Sequence, residues 1–482
     1  MSGDAGSERR WTWLAIAACV VAGTVVRAIP CWSDFWLDEI WTWYDARELR
    51  SALGVFTGIH HSNNHHLNTL LFYWIGDQRE WAIYRLPSLL AGAASIALAA
   101  ALAGRRGSLE ALLAAALSAA SFPLIHYASE ARGYALAVFF ALVALLALRR
   151  FLERGGAAWA ALFAAATCLG FLSQLIFVFF WAGALALSAL RLVRRPGPRA
   201  VRLADALRLH AAPALTLLLL YLVDLRHLTV GGGPPTVANE IVARSVGFSL
   251  GLPVAPSLAP AYAILALGLL ALGLFRLARE RDDLWILFLV AIALSPATVF
   301  AVMRPGVIEL RYFLIGIALF LILLARLLAG ALRAGGARRA AALAGLAVFL
   351  AGSGVHTARF LELGRGGFQA ALRTMAEQSA GPTIVVGSDQ DFRNGIVLRF
   401  YARLLPPGRT LDYRERGRWP EAGPEWIVVH RRARPPRPLA EISFPAAGSY
   451  RLAAEFDHAA ISGFYWGLYR RVPRAEPTRP GA

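Results

Sequence analysis

Residues 11–29, WTWLAIAACVVAGTVVRAI, decide the fold class of this chain. This run is apolar over nearly the ~20 residues that a helix needs to cross the hydrocarbon core of a bilayer. Backbone N–H and C=O groups cannot stay unsatisfied in lipid, so such a run predicts a transmembrane helix. Its length, and the apolar runs that follow it, favour a retained first helix over a cleaved signal peptide.

More apolar runs of this kind follow along the chain. They cover residues 86–103, 109–127, 134–148, 157–172, 174–192, 211–224, 259–276, 284–302, 312–330 and 339–355. The chain is 57% hydrophobic and only 17% charged, whereas soluble proteins carry about 25% charged residues. The sequence therefore predicts an all-α polytopic membrane protein, with about eleven transmembrane helices in residues 1–355.

The basic residues orient these helices. All 49 of them are arginines, since the sequence contains no lysine, and the formal net charge is +18. Arginine clusters such as Arg105-Arg106 and Arg149-Arg150 recur in alternate short loops. The positive-inside rule then places the N-terminus in the cytoplasm and residues 31–85 and about 225–258 outside. No basic face interleaved with aromatic residues is present, which argues against a nucleic-acid partner.

The composition changes after about residue 355. Residues 383–387 and 425–430 are short apolar runs bounded by Gly, Pro and charged residues, and they predict strands of a small α/β domain. With an odd number of spans, this domain, residues 356–482, is expected on the same outer side as the first loop. The three cysteines show no CxxC spacing, which argues against a disulfide framework or a thiolate metal site.

The first external loop, residues 31–85, is the densest polar segment of the chain. It holds the acidic pair Asp38-Glu39, close enough to the first span to lie beside a lipid-borne substrate. An acidic pair in an outer loop is more often only solvated. The loop also carries His60-His61 and His65-His66, and imidazole is a common metal ligand. Adjacent histidines lack the i, i+4 spacing that places two ligands on one helix face. The simpler explanation is that they are ordinary polar residues of a loop.

Two further polar motifs lie on the same outer side. One is Ser129-Glu130-Ala-Arg132-Gly-Tyr134, in a short turn between two spans, and the other is Glu309-Leu-Arg311-Tyr312, before a late span. A guanidinium held in such a turn could grip a phosphate with its planar fork. The alternative is that these charges only extend toward the membrane interface.

Together these motifs resemble the polyprenyl-phosphate-sugar-dependent membrane glycosyltransferases of the GT-C fold, which are glycosyltransferase family 39-like. That group includes protein O-mannosyltransferases and the aminoarabinose transferases of lipid A. The resemblance covers mainly residues 10–180. It rests on the acidic pair after the first span, Asn64-His65, Arg85-Leu-Pro-Ser-Leu-Leu-Ala-Gly92, Glu130-Ala-Arg132-Gly-Tyr134 and the weaker Arg311-Tyr312.

The resemblance implies an enzyme of a bacterial inner membrane. Such an enzyme moves a sugar from a polyprenyl-phosphate carrier to a lipid, glycan or protein acceptor on the periplasmic face, with inversion expected. Asp38 matches the catalytic aspartate, which acts as a general base on the acceptor hydroxyl or as an orienting carboxylate. Arg132 and Arg311 match cations beside the phosphate leaving group. The other motif residues are expected to bind substrate: Glu39, His65, Arg85, Glu130, Tyr134 and Tyr312.

A divalent cation is an open expectation, with Glu39 and His65 as its ligands, and no organic cofactor is expected. The chain also departs from the family pattern. Many relatives carry His-Pro-Pro in the first loop, whereas this sequence reads His65-His66-Leu67, so proline does not fix the backbone there. Because lysine is absent, a phosphate-binding lysine must be replaced by arginine or dispensed with.

Two other functional classes are compatible with a polytopic chain. A transporter or lipid-carrier flippase would more often show ionisable residues in the middle of spans and Gly/Pro-broken helices in two matching halves. Here the polar motifs gather at one membrane face and no symmetry between halves is evident. The third class is a non-catalytic assembly protein whose outer domain recruits partners.

Overall fold

The chain divides into two compact units in a computed structural model that describes residues 2–229, 231, 235–445, 447–459 and 461–473. The helical unit comprises Met1–Cys31 and Asp45–Thr357, and the sheet unit comprises Trp32–Tyr44 and Ala358–Ala482. The sequence predicted a boundary after residue 355 and assigned residues 31–85 as a whole to one loop. The structure instead groups the beginning of that loop, with Asp38 and Glu39, with the C-terminal sheet.

The helices have well-defined bounds in chain order. They are α1 (Ser2–Ala28), α2 (Leu37–Glu48), α3 (Gly54–Thr57), α4 (His66–Ile75), α5 (Trp81–Ala103), α6 (Ser108–Ala120), α7 (Phe122–Ala128), α8 (Gly133–Arg154), α9 (Ala157–Ser173), α10 (Phe177–Arg194), α11 (Arg199–Val223), α12 (Ala238–Leu250), α13 (Ala259–Arg279), α14 (Leu284–Leu289), α15 (Ser295–Met303), α16 (Leu314–Ala334), α17 (Gly336–Leu363), α18 (Phe368–Gln378) and α19 (Asp391–Ala402).

These helices make the protein a multi-pass membrane protein. Within the described residues, nine helical segments are long and apolar enough to cross a bilayer, and the bent pair α6–α7 gives a tenth. One of the nine, Leu284–Met303, consists of α14 and α15 joined by the π-helical residues Val290–Leu294. The shorter apolar helix α9 matches the remaining predicted run. Each of the predicted runs is therefore helical in the structure. Helices α8 and α16 are buried along most of their length, which places them at the centre of the bundle.

One predicted span, residues 109–127, is not a continuous helix. Helices α6 and α7 meet at an angle of 60° at Ser121. Pro123 stands at the start of α7, where its ring and its missing N–H are tolerated. Proline would disrupt the interior of a longer helix, so the break is encoded locally.

The break in this span is stabilised by Arg27 of α1, a fully buried cation. The last carbonyls of α6 lack partners within their own helix. Arg27 donates from Nη1 to the Ala119 oxygen at 2.9 Å and from Nη2 to the Ser118 oxygen at 2.7 Å. Nη1 also donates to the Gly23 oxygen at 2.8 Å. Arg27 thus satisfies backbone groups that would otherwise be exposed in an apolar bundle.

The sheet unit contains a six-stranded mixed sheet of order β2-β1-β3-β6-β5-β4. The strands are β1 (Thr383–Ser388), β2 (Thr410–Tyr413), β3 (Trp426–Arg431), β4 (Glu441–Phe444), β5 (Gly448–Phe456) and β6 (Tyr465–Arg471). Strand β1 is parallel to both β2 and β3, with Val386 opposite Tyr413 and Trp426. The other pairs are antiparallel. The two predicted strands match β1 and β3, so the predicted fold class is confirmed.

Candidate functional site

The polar centre of the helical unit lies where two helices begin. His65 is the residue before α4, and Arg132 is the residue before α8. The Gly133 N–H, the first amide of α8, donates to Nδ1 of His65 at 2.9 Å. The first amides of a helix carry partial positive charge and attract anions. The two helix starts therefore add to the positive charge of Arg132 at this place.

Arg132 is buried and is held from several sides. Its Nη2 donates to Oδ1 of Asn63 at 2.8 Å and lies 3.2 Å from Nε2 of His65. Its guanidinium lies 5.1 Å from the ring centre of Tyr134, a cation–π distance. Ser88 of α5 donates to the Arg132 carbonyl at 3.0 Å. Backbone and side chain are thus both fixed, which favours a preorganised cation.

His65 is a neutral imidazole in this setting. Burial holds its pKa well below the usual range, and Arg132 and Arg311 lower that pKa further. Because Gly133 donates to Nδ1, the ring proton belongs on Nε2. The side-chain amide of Gln174, which follows α9, lies 3.0 Å from that atom, and its carbonyl oxygen is the group of this amide that can accept the Nε2 proton. Both ring nitrogens are therefore engaged by protein groups.

Gly133 allows the close approach on which this cluster depends. A Cβ at this position would overlap the carbonyl oxygen of Ser173, the last residue of α9. The start of α8 and the end of α9 can therefore meet only without a side chain there. Gln174 follows directly after Ser173 and so reaches His65.

Asp224 ties two other first-loop histidines, His60 and His66, to the end of α11. His60 Nδ1 lies 2.8 Å from Oδ1 of this buried carboxylate, and His66 Nε2 lies 2.7 Å from Oδ2. His61 accepts the Asn63 N–H at Nδ1, at 3.1 Å. The histidine run therefore engages protein groups, and Asp224 fixes the first residue of α4 directly after His65.

A divalent cation does not suit the surroundings of His65, since both ring nitrogens are engaged and Arg132 and Arg311 act on the ring. The metal ligand set of Glu39 and His65 stays a prediction. No group of three or more His, Cys, Asp or Glu side chains that could hold a metal is found in the part of the chain that the structure describes.

The motif around Glu130 joins the same cluster. Glu130 is fully buried, and its Oε1 lies 3.0 Å from Nε2 of His126. Tyr134 packs edge-on against His65, with ring centres 4.9 Å apart. Arg311 acts electrostatically on His65, and its guanidinium lies 5.9 Å from the Tyr312 ring centre. The structure therefore brings together five sequence-predicted residues of the helical unit: His65, Glu130, Arg132, Tyr134 and Arg311.

Arg85 has different surroundings from those residues. It is fully buried, and its Nη1 donates to the carbonyls of Cys31 at 2.9 Å and Pro30 at 3.2 Å. These carbonyls lie just past the end of α1, where helix carbonyls lack partners. The contacts favour a structural role for Arg85 over the substrate contact that the resemblance implied.

Asp38 and Glu39 occupy the first turn of α2 in the sheet unit. Glu39 is fully buried, and its Oε2 accepts the Trp36 N–H at 3.3 Å, which is a helix-capping contact. Asp38 is partly exposed, and its backbone carbonyl accepts the Thr42 hydroxyl at 3.0 Å. Of the acidic pair, only Asp38 is accessible to solvent.

Three partners of the cluster escaped prediction from sequence: Asn63, Gln174 and Asp224. Gln174 is the first residue of the predicted run 174–192, and a polar residue at the start of an apolar run is a usable signal. Asp224 ends an apolar run, which is also typical of a residue that merely reaches the interface. Asn63 had no signal beyond its neighbouring histidines.

The solved structures that are similar to this chain include two of ArnT. The crystal structure of ArnT from Cupriavidus metallidurans in the apo state has a TM-score of 0.50 and 17% sequence identity, over 84% of this chain and 86% of that chain. ArnT bound to undecaprenyl phosphate has a TM-score of 0.50 and 16% identity, over 97% of this chain and 99% of that chain. Neither a family model nor a curated protein sequence matches. ArnT is an aminoarabinose transferase with the GT-C fold, and the predicted GT-C fold is confirmed.

Proposed function

We propose that this protein is a membrane glycosyltransferase that moves a sugar from a polyprenyl-phosphate carrier to an acceptor. The observation that carries the proposal is the preorganised Arg132–His65 cluster at two helix starts, within a GT-C fold. Such an arrangement suits a phosphate leaving group, which needs cationic neighbours more than a general acid. The similar ArnT structure with bound undecaprenyl phosphate supports the choice of carrier.

The proposed step is a single displacement. An acceptor hydroxyl oxygen forms a bond to the anomeric carbon while the bond from that carbon to the phosphate oxygen breaks. The bonding electrons leave with the carrier phosphate, beside Arg132. A general base takes the hydroxyl proton and later releases it to solvent, and this is the role that the family resemblance implies for Asp38. Attack opposite the leaving group inverts the anomeric centre.

The proposed location is a bacterial inner membrane, with the N-terminus cytoplasmic and the C-terminal domain periplasmic. Arginine clusters in alternate loops support this orientation. The sugar is a hexose or pentose, and the acceptor is a lipid, glycan or protein. The proposal leaves the requirement for a divalent cation open, and the experiment below varies it.

The first test is incubation of the purified full chain with a panel of polyprenyl-phosphate sugars, with and without divalent cations. Mass spectrometry of lipid and acceptor products measures transfer. The Asp38→Asn variant should lose about 1,000-fold in turnover, the range of general base catalysis. Glu48→Gln, an exposed acid at the end of the same helix, is the matched control and should keep its activity.

Normal transfer by Asp38→Asn would contradict its catalytic role. Failure to consume any donor under either condition would reject the transferase proposal. Movement of the intact lipid carrier from one leaflet to the other in proteoliposomes would then favour the transporter alternative.

The second test addresses the leaving group. Arg132→Lys keeps the positive charge but loses the planar fork, so we expect turnover to fall by about 100-fold. Arg79→Lys changes an exposed arginine in the same unit and should leave turnover unchanged. Equal activity of both variants would mean that Arg132 does not act on the phosphate.

A further inference from the structure

The sheet unit contains a second polar centre, at the carboxyl ends of β1 and β3. After β1 the chain passes through α19 to β2, which lies on one side of β1 in the sheet. Strand β3 lies on the other side of β1. Connections that leave neighbouring parallel strands in opposite directions open a crevice at their carboxyl ends, where ligands of α/β sheets commonly bind. We call the group Asp389, Phe392, Arg393, His430 and Arg431 the sheet edge.

The polar side chains of the sheet edge contact one another. Asp389 follows β1 and accepts the His430 N–H at 3.0 Å and Nη1 of Arg431 at 2.6 Å. Although burial raises the pKa of Asp389, hydrogen bonds from His430 and Arg431 lower it below the usual range. Arg393 Nη1 lies 3.5 Å from Nε2 of His430. The sheet edge therefore presents an ionised carboxylate paired with Arg431, and a second guanidinium, that of Arg393, beside His430.

The sheet edge adjoins the beginning of α2, which belongs to the same unit. The ring of Trp41 lies 5.3 Å from that of Phe392, the second residue of α19. One turn earlier on α2, Asp38 acts electrostatically on Arg393, the next residue of α19. Phe392 is 62% exposed, which is unusual for a phenylalanine in a folded domain. The proposed general base thus faces a group of polar side chains with an exposed aromatic ring.

We infer that the sheet edge binds the acceptor and that this acceptor is a saccharide. A sugar ring offers an apolar C–H face to an aromatic ring such as Phe392, and hydroxyl groups to the surrounding charged side chains. A few placed polar groups beside aromatic side chains are typical of small-molecule sites. The inference rests on the proposed function, since it supplies the acceptor for Asp38.

An extended peptide is a poorer fit to this place. Peptides commonly add a strand to an exposed flank of a sheet. The flanking strands of this sheet are β2 and β4, whereas β1 and β3 are paired on both sides. A lipid chain is also a poorer fit, because charged groups surround the single exposed ring.

The test is saturation-transfer NMR of the purified full chain with mannotetraose, chitotetraose and a Gly-Ser peptide as probes. We expect saturation of at least one saccharide and a loss of about tenfold in its affinity in Arg393→Gln and in Phe392→Ala. Arg373→Gln and Leu439→Ala change an exposed arginine and an exposed leucine elsewhere in the unit, and should bind as the unaltered chain does.

Binding of the peptide in preference to the saccharides would overturn the inference. The inference would also be overturned if no saccharide bound, or if all variants bound the saccharide equally well. Because the measurement needs no turnover, its outcome is independent of donor consumption. A chain that binds saccharide at the sheet edge but consumes no donor would refute the proposed function alone.

Discussion

Asp224 in the helical unit and Asp389 in the sheet unit are both carboxylates held by histidines, in different surroundings. Asp224 is 1% exposed, and its two partners are the side chains of His60 and His66. Asp389 is 23% exposed, and its partners are the His430 N–H and the guanidinium of Arg431, itself 55% exposed. The chemistry is similar, but water reaches only the second carboxylate.

This difference determines what each carboxylate contributes to the structure. A buried polar group that loses its partner keeps the full cost of desolvation, whereas water replaces the partner of an exposed group. We therefore expect the helical cluster to be rigid and intolerant of change. The sheet edge should tolerate substitution and keep its side chains available to a ligand.

The largest expected effect is that of Asp224→Asn compared with Asp389→Asn. An amide can accept from one histidine but presents an N–H₂ group to the other, so local stability at α4 should fall by about 2–3 kcal/mol. Asp389→Asn keeps an acceptor for the His430 N–H and should cost about 0.5–1 kcal/mol. Hydrogen exchange of peptides from α4 and β3 measures each local opening free energy.

Equal losses at the two carboxylates would contradict the argument from burial. The surrounding peptides provide the control, since exchange in β5 should be unchanged by Asp224→Asn. General acceleration of exchange would indicate global unfolding.

Much of the fold was predictable because each span carries its own signal. Apolar runs long enough to cross a bilayer predicted the helices, and short apolar runs predicted β1 and β3. The break at Ser121 was missed because residues 109–127 are apolar enough, on both sides of Ser121, to be taken for one continuous span. Pro123 was visible, but proline also occurs in continuous transmembrane helices.

The site was predictable only in part. The motif residues His65 and Arg132 are 67 positions apart, and their contact depends on α4 and α8 beginning side by side. Gln174 and Asp224 come from distant helix ends, so no local pattern identifies them as partners. Arg85 was predicted from its family motif to bind substrate, and in the structure it donates to the backbone carbonyls of Pro30 and Cys31, just past the end of α1. The sequence alone cannot distinguish these two uses of a buried cation.

The next largest expected effect is a pH dependence of the free energy of unfolding that comes from His65. Its folded pKa is lowered by burial, Arg132 and Arg311, while the unfolded imidazole titrates near about 6.5. Below that pH the unfolded chain binds a proton that the folded chain does not, so stability falls as pH decreases. Between pH 7.5 and 5.5 this contribution is about 1 kcal/mol.

Comparison of variants isolates this contribution from the other histidines. Thermal unfolding at the two pH values should show a smaller pH dependence in His65→Gln than in the unaltered chain. His227→Gln replaces an exposed histidine and should retain the full dependence. The same slope in His65→Gln would mean that His65 does not stay neutral in the folded protein.

The smallest effect is expected for Arg431→Gln at the sheet edge. Its ion pair with Asp389 is short, at 2.6 Å, but more than half of the guanidinium is in water. Water and salt can replace such a partner, so the free energy of unfolding should fall by no more than about 0.5 kcal/mol. Thermal unfolding at low and high salt measures this difference, which should shrink further at high salt. A loss as large as that of Asp224→Asn would show that the sheet edge is a rigid structural network, and its side chains would then be unavailable to a saccharide.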